Sequence, residues 1–173
     1  MKLVSFKFKS VLMAIVILFA TPGIIYAQLS DLDLLFGKLK NVDAIGALAL
    51  EQKILLEWSK SGPTSISFLL TRARMAIDVQ DHEMALQHLN ALTDHAPKFA
   101  EGWNLSAVTF YHLGKLGPAL AALEHVLALE PRHFKALEGF LFILEDAGLF
   151  LEAFEVFQIL EAIHPHAKIL STV

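Results

Sequence analysis

The chain has 173 residues, 55% of them hydrophobic and 18% charged, with 14 lysines and arginines against 18 aspartates and glutamates and no cysteine. A formal net charge of −4 gives it no electrostatic reason to seek nucleic acid or an anionic membrane surface. The missing cysteines exclude a disulfide scaffold, a thiolate zinc site, a cysteine nucleophile and a lipidated cysteine.

Part of the apolarity is local to the start. Residues 1–27 place Lys2, Lys7 and Lys9 ahead of an apolar run from Val11 to Ala20, which breaks at Thr21-Pro22-Gly23. A basic start, a short apolar run and a break are the three parts of a secretory signal. Ala27 offers a cleavage site before Gln28, and the ten-residue run falls short of the about 20 apolar residues that a spanning helix needs. Cleavage would leave residues 28–173 in the periplasm or outside the cell. The rival reading is an uncleaved anchor, which would hold the rest of the chain on the periplasmic side of the inner membrane as a subunit of a membrane complex.

Residues 28–65 read as an N-terminal helical capping pair. A short helix over Asp31–Phe36 begins with Ser30 or Asp31 as its cap, and a longer one runs from about Asp43 to Ser59 before Ser61-Gly62-Pro63 ends it. Leu35, Leu39, Leu48, Leu55 and Trp58 are its expected inward residues.

From there a period organises the chain, because Pro63, Pro97, Pro131 and Pro165 stand 34 residues apart. A fixed period of about 20–50 residues signals a stacked array. Aligning residues 66–99, 100–133 and 134–167 keeps the register: Ala85, Ala119 and Ala153 coincide, then Leu89, Leu123 and Phe157, then Leu92, Val126 and Leu160. Apolar residues return every three or four positions, the helical spacing, and Gln80-Asp81, Gly114-Lys115 and Gly148-Leu149 fall where a helix needs a C-cap and a turn. Each unit is therefore two helices whose apolar stripes are buried only by stacking on neighbouring units. Pro118 is tolerated because it falls in a first helical turn, where its missing N–H has no partner to lose.

The central unit resembles a tetratricopeptide repeat, with Trp103, Ala107, Phe110, Gly114, Ala119, Leu123, Val126 and Pro131 on that family's pattern. The flanking units match less fully, since Leu69 and Ala76, then Leu137 and Leu144, replace Trp103 and Phe110, and Leu141 replaces the small residue. In residues 31–65 Glu51 stands where the packing alanine belongs, so this segment is a degenerate pair. The resemblance implies an all-α, right-handed helical-repeat solenoid of three such pairs preceded by the degenerate one, with residues 168–173 as a short tail.

It further implies a concave face lined by the first helix of each unit, where such proteins hold peptides or partner helices. Here that face would present Arg74, Asn104, Tyr111, His112, Lys135, Glu138 and Phe142. Tyr111 and Phe142 are the candidate anchors, with inter-repeat packing as their alternative role. The carboxylate clamp of some co-chaperones is not expected, because Leu70 and Asn104 at corresponding places do not make one. The last unit is the most apolar, and Phe154, Phe157 and Leu160 read as a second interaction patch, serving self-association or a partner.

Catalytic patterns are missing: there is no phosphate-binding glycine loop and no G-x-S-x-G elbow. His82 and His88 are six apart, which is wrong for two zinc ligands on one helix face. His133 and His166 lie in equivalent turns beside Pro131 and Pro165, and are expected to be exposed there. Asn104-Leu105-Ser106 matches a glycosylation sequon but lies inside a helix. The reading is a non-catalytic, exported adaptor or assembly factor with no cofactor and a protein or peptide partner. A histidine-based periplasmic metal or small-ligand carrier is the alternative.

Overall fold

A computed structural model describes residues 30–60 and 63–171. Its elements are α1 (Asp31–Leu39), α2 (Ala44–Trp58), α3 (Thr64–Asp78), α4 (His82–His95), α5 (Ala100–His112), α6 (Leu116–Leu129), α7 (Phe134–Asp146), α8 (Phe150–Ile163) and a 3-10 turn η1 (Lys168–Ser171). The described residues contain no strand. The signal-like residues 1–27 lie outside them.

The helix ends follow from local chemistry. Ser30 and Asp33 form a capping box, the Asp33 N–H donating to Ser30 Oγ at 3.2 Å and the Ser30 N–H to the Asp33 carboxylate at 3.1 Å. Asp43 caps α2 by accepting from the Gly46 N–H at 2.8 Å. Gln80, Gly114 and Gly148, one period apart, all have positive φ (61°, 68° and 69°). At each of the three sites the N–H of the next residue returns to the carbonyl five residues back: Asp81 to Ala76, Lys115 to Phe110 and Leu149 to Leu144. This is the Schellman stop, and its left-handed residue is why two of the three positions are glycine.

The turns between units repeat as well. Phe99, His133 and Ala167 donate to the carbonyls of Ala96, Glu130 and His164, and α5, α7 and η1 start directly after them. Pro97 gains a further tie, since the Trp103 indole donates to its carbonyl at 2.9 Å.

Packing runs in sequence from α3 to α8, each helix on the next, and α5 also lies against α7, so the first helices share one wall. Ala85, Ala119 and Ala153 are buried, as are Leu89, Leu123, Leu92, Val126 and Leu160. Gly102 sets the closest approach of α5 to α4, because a Cβ there would collide with the Leu92 side chain. The alanine and leucine layers are thus the core that the period anticipated.

The first pair does something else. α2 is followed in the chain by α3, yet its buried residues Ala47, Ile54 and Trp58 join Phe36 and Leu39 of α1 in one core with the second and third repeats. Asp33 accepts from Arg132 at 2.7 Å, Trp58 lies against His133 and Phe134, and the Val42 carbonyl lies 2.9 Å from His166 Nε2. The pair lies across the inter-repeat turns on the edge of the solenoid. Leu48, expected inward, is exposed instead. The stripe that faces the repeats is Ala47, Glu51, Ile54 and Trp58, spaced by three and four, and Leu48 falls one step around the helix from it.

Candidate functional site

The first helices of the second and third repeats, α5 and α7, form the walls of a groove of about 350 Å³. Its lining includes Ala107 and Gly139, whose small size deepens it, the buried Leu123 and Ile143, the exposed Val108 and Phe142, and the half-buried Tyr111. Tyr111 and Phe142 meet edge to face, ring centroids 5.3 Å apart and planes at 80°. The lining is mostly apolar with a few polar groups, the general make-up of a ligand cleft.

The polar part of the lining is Asn104, Lys135 and Glu138. Lys135 is held from two sides, donating to Glu51 of α2 at 2.9 Å and to Glu138 at 3.0 Å. Burial pulls its ammonium down, but the two carboxylates carry it above the usual lysine range. Burial likewise acts against the charge on Glu51, and Lys135 with His164 overcomes it, leaving that carboxyl below its ordinary range. Glu51 therefore holds the place of a packing alanine because its helix meets a lysine there.

A second polar knot lies beneath the start of α5. Arg74 donates to Glu101 Oε1 at 2.9 Å and to Ser59 Oγ at 2.9 Å, while Asn104 donates to Glu101 Oε2 at 3.2 Å. Glu101 and Asn104 are buried, and burial raises the Glu101 pKa despite Arg74. Of the residues expected on the concave face, Asn104, Tyr111, Lys135, Glu138 and Phe142 line the groove together. Arg74 is engaged by Glu101, and His112 is exposed at the end of α5, stacked on His82 with centroids 4.8 Å apart.

Two expectations are corrected. His133 is fully buried, not a solvated turn residue, because α2 covers the turn: Trp58 stacks on it, its Nδ1 accepts from the Ala136 N–H at 3.2 Å, and burial lowers its pKa to about 4. Leu160 is fully buried in the core, so of the C-terminal patch only Phe154, exposed, and Phe157, half-buried, reach the surface. Those two rings stack with centroids 6.3 Å apart. Asn104, the sequon residue, is buried and bonded within the chain.

Among the described residues no three His, Asp or Glu side chains come together to hold a metal ion, and no helix is long and apolar enough to cross a membrane.

No family model matches the chain. It is similar to a TPR repeat-containing protein of Rhizobium etli, 38% identical over 130 residues that cover 73% of this chain and 64% of that relative. The chain thus spans just under two thirds of the relative's length. Among solved structures it is similar to two variants of MamA. One gives a TM-score of 0.53 at 19% identity over 78% of this chain and 98% of that one. The other gives 0.51 at 16% identity over 92% and 89%. At these identities the likeness is one of fold.

Proposed function

From a chain built of tetratricopeptide-type helical repeats, we propose a non-catalytic protein-interaction module that takes a segment of a partner protein into the groove between α5 and α7. The observation that carries this reading is the pairing of an exposed aromatic, Phe142, with the small Ala107 and Gly139 and a few polar groups in one cleft. Such a cleft suits one apolar side chain of a peptide or helix, with its neighbouring backbone set against Asn104 and Lys135. The proposal includes export: the lysines, apolar run and Ala27 of residues 1–27 support a cleaved leader, and so a periplasmic or secreted site of action.

Two measurements test it. Affinity capture from an envelope extract, read by mass spectrometry, should lose its partner with Val108→Arg and with Phe142→Ala while circular dichroism stays unchanged. Recovery of the same partner by both variants would place the binding site elsewhere. N-terminal sequencing of the exported protein should begin at Gln28, and an intact Met1 in the membrane fraction would favour the anchored alternative.

A further inference from the structure

Among the described residues the three repeats leave two ends, and neither is finished as the interior is. Inside the solenoid, the second helix of one unit buries a face against the first helix of the next, α4 on α5 and α6 on α7. On α8 the same face is open: Phe154, in the place of Leu86, is 59% exposed where Leu86 is 7%, and Phe150 at the start of the helix is 70% exposed. The turn η1 starts at Lys168, the place at which α7 and α5 start one and two periods earlier, but it spans four residues where they span thirteen each.

At the other end, α3 exposes the face that α5 and α7 bury. Met75, 54% exposed, stands where Thr109 and Ile143 are buried, and Val79 beyond it is 74% exposed. The preceding helix cannot cover this face, because α2 is committed to the third repeat.

We infer that each face is covered by a second copy of this chain, the C-terminal half of α3 docking on the N-terminal half of α8 of the next molecule. The contact continues one the chain already makes twice. In the interior, the stacked His82 and His112 mark where the start of a second helix meets the end of the following first helix. Phe150 and Asp78, next to Val79, hold those two places at the open ends. Phe68 confines docking to that half, since it stands where α5 has Gly102 and α7 has Ala136 and is too large to nest as they do. Charge does not oppose the pairing: the N-terminal half of α8 carries Glu152 and Glu155 and no basic residue, and the C-terminal half of α3 carries Arg72 against Asp78, with Arg74 already paired to Glu101. Because the two faces differ, the contact is heterologous, and copies joined this way form rings or open chains, not a closed two-fold dimer.

The chain has no cysteine, so introduced thiols report without background. Full-length protein carrying both Val79→Cys and Phe150→Cys, treated with a bismaleimide crosslinker in cells, should give a ladder of multiples on a denaturing gel. Mixed single variants should give dimers only, and either single variant alone should stay monomeric. Adding Phe154→Glu, at an exposed position that leaves circular dichroism unchanged, should reduce the ladder at least tenfold. A monomer band alone, a crosslink to a different protein, dimers from Phe150→Cys alone, or a ladder indifferent to Phe154→Glu would each overturn the inference.

Discussion

The indole of Trp58 lies flat on the imidazole of His133, ring centroids 4.0 Å apart and planes within 10°. One ring ends α2 and the other caps α7, so this contact ties the first helix pair to the third repeat. It also removes His133 from water. Its Nε2 faces Glu101 Oε2 at 3.8 Å, and burial above all, with the Lys135 charge adding to it, favours the neutral ring. The unfolded chain accepts a proton that the folded one resists, so stability falls as pH drops from 6.5 towards about 4. The loss attributable to this ring is at most about 3 kcal/mol. Urea unfolding at about pH 7.5 and about pH 4.5 should show it in the parent and show less of it in His133→Asn, which keeps an N-cap acceptor. Equal losses in both proteins would assign the pH dependence to other groups.

Gln80 has φ of 61° at the place where the next two units have Gly114 and Gly148. A side chain in the left-handed region costs about 1 kcal/mol. Gln80→Gly should therefore raise the thermal midpoint by about 2–4 °C, and Gly114→Ala should lower it. A midpoint unmoved by both substitutions would mean that these turns carry no strain.

The contrast between these two sites shows what the sequence makes legible. The turn at Gln80 is set by residues within one helix end, and its two counterparts repeat at fixed spacing, so the period alone locates it. The covering of His133 depends on Trp58, which meets it across two intervening repeats, and no local pattern announces that contact. His133 beside Pro131 reads as a solvated turn until α2 is laid over it. One signal was present: Glu51 interrupts the stripe of Ala47, Ile54 and Trp58 at the place of a packing alanine, and a carboxylate on a buried stripe asks for a cation opposite. Lys135 is that cation, 2.9 Å away. The groove was legible as a set, since its members lie on the first helices at repeat-related places. The engagement of Arg74 was not, because its partner Glu101 comes from the next unit.

Ala119 is fully buried between α5 and α6, in the layer shared with Ala85 and Ala153. Ala119→Glu forces a larger side chain and an unpaired carboxylate into that layer, at a cost of about 3–5 kcal/mol. The thermal melt should shift by well over 5 °C. A shift within a couple of degrees would contradict the alanine register.

The last prediction concerns Arg74 and Glu101, whose 2.9 Å salt bridge joins α3 to α5. Removing Arg74 leaves a carboxylate with 9% of its side chain exposed to solvent and only Asn104 and the neutral His133 beside it. Arg74→Ala should cost about 2 kcal/mol, more than an exposed ion pair is worth, because the stranded charge bears its own desolvation. Burial already raises the Glu101 pKa with Arg74 in place. Without the guanidinium it rises further, so the folded variant binds the proton more tightly than the unfolded chain does. Its stability relative to the parent is then lost as pH rises, and the variant should be closer to the parent at about pH 5 than at about pH 8. Glu101→Gln in the same protein removes the stranded charge and should recover part of the loss at high pH. Chemical denaturation of the parent, both single variants and the double variant at the two pH values completes the cycle. A pH-independent loss, or a double variant no more stable than Arg74→Ala, would show that Arg74 acts through its packing and not through Glu101.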